Sequence, residues 1–139
     1  MATISEDAMK KRTKQFALRT IQLCEPLPKS RAGRVIANQL LRCGTSVGAN
    51  YRAACRARSS PDFVNKLGIT LEEADESAYW MELIIEANLM PEPRVNGLLN
   101  EANELTAIFN ASHKTANQNI RFGNRKSKIE IQKSAKDSQ

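Results

Sequence analysis

The sequence predicts an all-α protein: an antiparallel up-down-up-down four-helix bundle followed by a flexible basic C-terminal tail. Three observations predict it. Ala, Leu, Ile, Glu, Arg and Lys dominate while aromatics are scarce (one Trp, two Tyr and four Phe), a composition that favours helix over sheet. Four stretches repeat apolar residues every three or four positions, so each carries one apolar stripe. Four of the five prolines, Pro26, Pro28, Pro91 and Pro93, fall between those stretches, leaving short connections suited to antiparallel neighbours. At 139 residues the chain can build one core but not two; residues 1–116 are assigned to the bundle and 117–139 to the tail.

The first helix places Met9, Thr13, Phe16, Ala17, Thr20, Ile21, Cys24 and Leu27 at helical intervals, and Pro26 and Pro28 stop it. A second runs from about Ser30 to Arg58 with Ile36, Leu40, Cys43, Val47, Tyr51 and Ala54 on its core face. Ser60, Pro61 and Asp62 then form a start signal: a capping hydroxyl, a proline suited to the first turn, and an acid that complements the helix dipole. The third helix buries Phe63, Leu67, Leu71, Ala74, Ala78, Met81 and Ile85 and ends near Asn88. The fourth presents Val95, Leu98, Leu99, Ala102, Leu105, Thr106 and Phe109 and is expected to fade after Ser112. Beyond it, NQNIRFGNRKSKIEIQKSAKDSQ lacks sustained periodicity and reads as flexible.

The net charge of +6 conceals a strong polarity. Residues 1–58 hold 12 Lys/Arg against 3 Asp/Glu, residues 59–116 hold 3 against 10, and residues 117–139 hold 6 against 2. Basic and acidic halves suit pairing within a chain or between copies, and the surplus points to an anionic partner. No apolar run is long enough to span a membrane, and the N-terminal MATISEDAMKKRTKQ is charged where a signal peptide is apolar, so a cytoplasmic location is expected. Cys24, Cys43 and Cys55 are odd in number and contain no C-x-x-C pair; buried free thiols in a reducing compartment are the expected reading.

On the second helix, Arg31, Arg34, Arg42, Arg52 and Arg56 fall within an arc of about 80°, with Asn38 and Thr45 between them. No acid lies between Lys29 and Asp62, so the stripe has no partner on its own helix. Two readings stay open: pairing with carboxylates of the third helix, or binding of phosphate. Gly44 and Gly48 lie beside the core, in a helix where each glycine costs about 0.5–1 kcal/mol relative to alanine. Their spacing predicts a close helix–helix contact, here assigned to an oligomer interface. Ile69, Tyr79, Trp80 and Leu83 lie outside the core stripe of the third helix among acids, and are assigned to the same role.

The order LPKS, then NQLLRCGTSVGANYRAACRARSSPDF, then EADESAYW resembles a known family. It is the four-helix bundle family encoded in intervening sequences of bacterial large-subunit ribosomal RNA genes, related to the accessory variability determinant proteins of diversity-generating retroelements. Matching positions include Leu27-Pro28, Ser30, Leu40-Leu41-Arg42, Thr45 to Asn50, Asp62-Phe63 and Glu73 to Trp80, and the likeness spans roughly residues 10–115. The resemblance implies a homopentameric barrel, and the retroelement relatives imply nucleic acid and a reverse transcriptase as partners. The chain departs from the family where acids commonly follow GAN: here the run is Tyr51-Arg52-Ala53-Ala54-Cys55-Arg56.

No catalytic constellation is legible. His113 is the only histidine, so the paired Glu-x-x-His ligands of di-iron bundles are impossible, and no phosphate-cradling glycine loop, nucleophile elbow or zinc motif occurs. No metal, cofactor or catalytic residue is therefore expected. The leading reading is a non-enzymatic oligomeric bundle that binds RNA or DNA through the five arginines, assisted by the tail. The alternative is a protein-binding scaffold whose arginines contact subunit or partner carboxylates.

Overall fold

The computed structural model describes residues 4–137; residues 1–3 of the charged N-terminal run and the last two residues of the tail lie outside the described residues. Four helices form in chain order, α1 Glu6–Cys24, α2 Arg31–Cys55, α3 Ser60–Glu86 and α4 Glu92–Asp137. Each packs chiefly on the helix that precedes or follows it, and α1 also meets α4 to close the bundle.

Local chemistry sets the helix ends. The Ser5, Ser30 and Ser59 hydroxyls accept from the backbone N–H groups of Ala8, Gly33 and Asp62, satisfying donors that a helix start leaves unpaired. The cap of α3 is thus Ser59, one residue before the expected Ser60. At its other end Asn88 adopts φ 56°, a left-handed conformation asparagine tolerates, while the Leu89 N–H donates back to the Ile84 carbonyl.

Buried residues follow the predicted stripes with small rotations. On α1 the core takes Met9, Phe16, Leu23 and Cys24, with Leu27 just past its end, rather than Ile21, which is 40% exposed. On α3, Thr70, Ser77 and Ile84 are fully buried where Leu71 and Ile85 were expected. Burying hydroxyls costs free energy unless they find acceptors. Here Thr13 and Thr20 donate to the Met9 and Phe16 carbonyls, and Thr70 and Ser77 donate to those of Lys66 and Glu73. Cys24 and Cys43 are buried free thiols, and Cys55 is half-buried.

Two expectations need correction. Gly44 and Gly48 are buried within a single chain rather than facing another copy. A Cβ on Gly44 would come within 2.6 Å of the Thr20 methyl, and one on Gly48 within 3.2 Å of the Thr13 hydroxyl. The small residues admit α1, not a neighbouring subunit. The fourth helix also does not fade after Ser112; it continues to Asp137. Its apolar stripe ends first, and residues 121–137 are all exposed.

Candidate nucleic-acid interface

Four arginines of α2 and Arg56, its C-cap residue, divide into three places. Arg31 and Arg34 stand exposed at the start of the helix, and Arg52 and Arg56 stand exposed at its end. Arg34 and Arg52 are about 27 Å apart along the axis. These four form no ion pair among the described residues.

Arg42, between them, is committed to α3. Its Nη2 lies 2.7 Å from Glu76 Oε1 and its Nη1 lies 3.1 Å from Glu73 Oε2. The Glu76 carboxylate strengthens the hold of the guanidinium on its proton. Burial pushes the Glu73 carboxyl up, against the opposing pull of Arg42. Arg42 thus neutralises acids of its own chain, which corrects its assignment to a phosphate-binding stripe.

The polar residues of the TSVGAN run are engaged locally. Thr45, Ser46 and Asn50 donate to the Leu41, Arg42 and Ser46 carbonyls on their own helix. The run therefore serves the packing of α2 on α1, through Gly44, Val47 and Gly48, while its hydroxyls bond back to their own helix.

The end of α2 that carries Arg52 and Arg56 is also where α4 leaves the bundle. Residues Ala116, Asn119, Ile120, Gly123 and Asn124 of α4 line an open cleft of about 430 Å³ with Ser60, Pro61, Phe63 and Val64 of α3. Beyond that cleft the extension carries Arg125, Lys126, Lys128, Lys133 and Lys136, with Arg121 just before. Cationic side chains from α2 and α4 therefore occupy one end of the molecule, a placement the wheel of a single helix could not reveal.

On α3, Tyr79 is 52% exposed and meets Trp80 edge-on, with ring centroids 5.2 Å apart. Trp80 and Leu83 are half-buried against the core, and the Trp80 indole N–H donates to Glu76 at 3.4 Å. Ile69 is half-buried on the same helix, beside a cleft that includes His113. His113 itself packs over Gly68. Among the described residues, no three of His, Cys, Asp and Glu converge as metal ligands. No described helix is long and apolar enough to cross a membrane.

An all-α four-helix bundle is the class of protein that the fold defines. The chain belongs to the 23S rRNA-intervening sequence protein family, whose model matches residues 6–111. A crystal structure of a protein of unknown function from the S23 ribosomal protein family of Bacteroides thetaiotaomicron VPI-5482 shares the fold. That chain is 35% identical, with a TM-score of 0.72 over 78% of this chain and 97% of its own. No curated protein matches. The family match stops before the basic extension.

Proposed function

We propose that this protein is a non-enzymatic oligomeric bundle that binds nucleic acid by neutralising backbone phosphates. One observation carries the reading: Arg31, Arg34 and Arg52 on α2 and Arg56 at its C-cap are exposed with no ion pair among the described residues, and Arg52 and Arg56 share an end with the basic extension. Guanidinium groups suit phosphate because their fork of donors is planar, fixed and always charged. Backbone contacts of this kind supply affinity and register but little sequence reading.

Titration of labelled RNA and DNA across salt concentrations tests it. Binding that weakens linearly in log affinity with log salt supports the reading, whereas a flat response, or no binding at low salt, removes it.

The Arg42 contacts favour a second reading, that of a scaffold whose arginines serve carboxylates of a partner protein. It differs from the first in predicting that Arg52→Glu with Arg56→Glu disrupts assembly. A homopentamer meeting through Tyr79, Trp80 and Leu83, with Ile69 alongside, is part of the proposal and is read by light scattering. The resemblance to accessory variability determinants adds a reverse transcriptase as proposed protein partner within a diversity-generating retroelement. The buried free thiols of Cys24 and Cys43 support a reducing, cytoplasmic setting.

A further inference from the structure

We infer that residues 117–137 form a helical arm that lies in the major groove of duplex DNA. The inference rests on the phosphate-binding reading above and adds the class of nucleic acid and the element that selects it.

The first turns of the arm face α3 across the cleft, and residues 121–137 are exposed throughout. The buried stripe of α4 runs through Val95, Leu98, Ala102, Leu105 and Phe109. Continued at the same helical angle, it meets Ala116, Ile120, Gly123, Ser127, Ile131 and Ser134; the two isoleucines stand eleven residues apart among small and polar residues, too sparse to make a coiled-coil seam. Self-pairing along that face is therefore disfavoured. A lone helix of this length is marginal in water, and six like charges repel along it. A polyanion removes both difficulties.

The opposite face shows what it fits. Arg121, Arg125, Lys126, Lys128, Lys133 and Lys136 spread over an arc of about 160° on the wheel. Phe122 and Ile129, 71% and 52% exposed, stand near the middle of that arc. Glu130 and Asp137 lie just outside it. Cations flanking a narrow apolar line match a groove with phosphates along both walls and thymine methyls on its floor.

Groove dimensions select the duplex. An α-helix with its side chains is about 10–12 Å across, and the major groove of B-form DNA is about 12 Å wide. The major groove of A-form RNA is too narrow to admit it. Single strands are held by aromatic stacking platforms, and the arm offers Phe122 alone.

The test uses the full chain, a chain ending at Ala116, and a full-length variant combining Phe122→Ser with Ile129→Ser. Each is titrated with a 20-base-pair DNA duplex, the RNA duplex of the same sequence, and the single strands. The full chain is expected to prefer DNA duplex over RNA duplex by about tenfold or more, with helical circular dichroism rising on binding. Truncation is expected to abolish the preference and lower the slope of log affinity against log salt by about 5, at about 0.9 for each phosphate the arm neutralises. The Phe122/Ile129 variant, which leaves every charge in place, is expected to keep the slope and lose preference. Equal affinity for both duplexes, a preference that survives truncation, or a change of native mass on truncation would overturn the arm assignment. Failure of the full chain to bind any of these at low salt would remove the phosphate-binding reading as well.

Discussion

Gly44 lies against Thr20 so closely that a Cβ added to it would stand 2.6 Å from the threonine methyl and 2.8 Å from its hydroxyl. Helix α2 therefore approaches α1 more closely at this point than alanine permits. Gly44→Ala is expected to destabilise the bundle, because overpacking costs about 1–3 kcal/mol while the gain in helix propensity is only about 0.5–1 kcal/mol. Thermal melting should show a drop of a few degrees, and Thr20→Ala should restore much of it. Gly48→Ala, with 3.2 Å to its nearest neighbour, should be milder. Equal effects at both positions, or no rescue, would contradict this packing.

Arg42→Ala should leave nucleic-acid affinity within about twofold of the parent, because its guanidinium already serves Glu73 and Glu76. Arg52→Glu with Arg56→Glu should lower affinity at low salt by about tenfold or more. Fluorescence anisotropy with one oligonucleotide reads both. A large loss for Arg42→Ala alongside an unchanged melting temperature would return that residue to the interface.

Arg12 closes the bundle between α1 and α4. Its Nε and Nη2 donate to the two oxygens of Glu101 at 2.9 and 2.6 Å, and Nη2 also reaches Glu104 at 2.7 Å. Arg12→Lys keeps the charge but loses the two-pronged geometry, so chemical denaturation should report a loss on the order of 1 kcal/mol, most of it absent when the same change is made in a Glu101→Gln background. A loss of the same size in that background would place the effect outside this pair.

Stability should decline on the alkaline side. Burial pushes the Cys24 thiol up to about 12 from its ordinary 9.0, and burial also raises Cys43 and Cys55. The folded chain then holds protons that the unfolded chain releases, so the stability present below about pH 9 is lost as pH rises toward 12. Cys24→Ala should flatten that decline in melts taken from pH 8 to 10.5. In the folded parent, alkylation followed by mass spectrometry should mark half-buried Cys55 before Cys24 or Cys43. An alkaline slope indifferent to Cys24→Ala would place its origin elsewhere.

Much of this architecture is legible in the sequence. The four stripes, the serine and proline punctuation and the Asn88 stop are local signals, and they set helix number, order and core. What escapes such reading depends on partners. The wheel of α2 aligns Arg42 with the other arginines, but only the packing of α3 shows Glu73 and Glu76 opposite it. The same wheel predicts that Gly44 and Gly48 admit a close neighbour, yet it cannot say that the neighbour is α1 of the same chain. Past Ile120 the apolar period stops, and flexibility is the natural reading of residues 117–139. The helix persists as far as Asp137 because Lys, Arg, Gln and Ala tolerate it and the preceding turns already nucleate it. Thr70 and Ser77 escape a hydropathy-based core because their hydroxyls bond to their own helix, which lets polar side chains sit among apolar ones.

The unpaired cations of α2 are most directly tested by the salt dependence of nucleic-acid affinity, compared between the parent and a variant with Arg31, Arg34, Arg52 and Arg56 all changed to Gln. The account predicts a linear fall of log affinity with log salt for the parent, and a slope shallower by about 3 to 4 for the variant at unchanged native mass. Identical slopes for the two proteins, with nucleic acid bound by both, would contradict it.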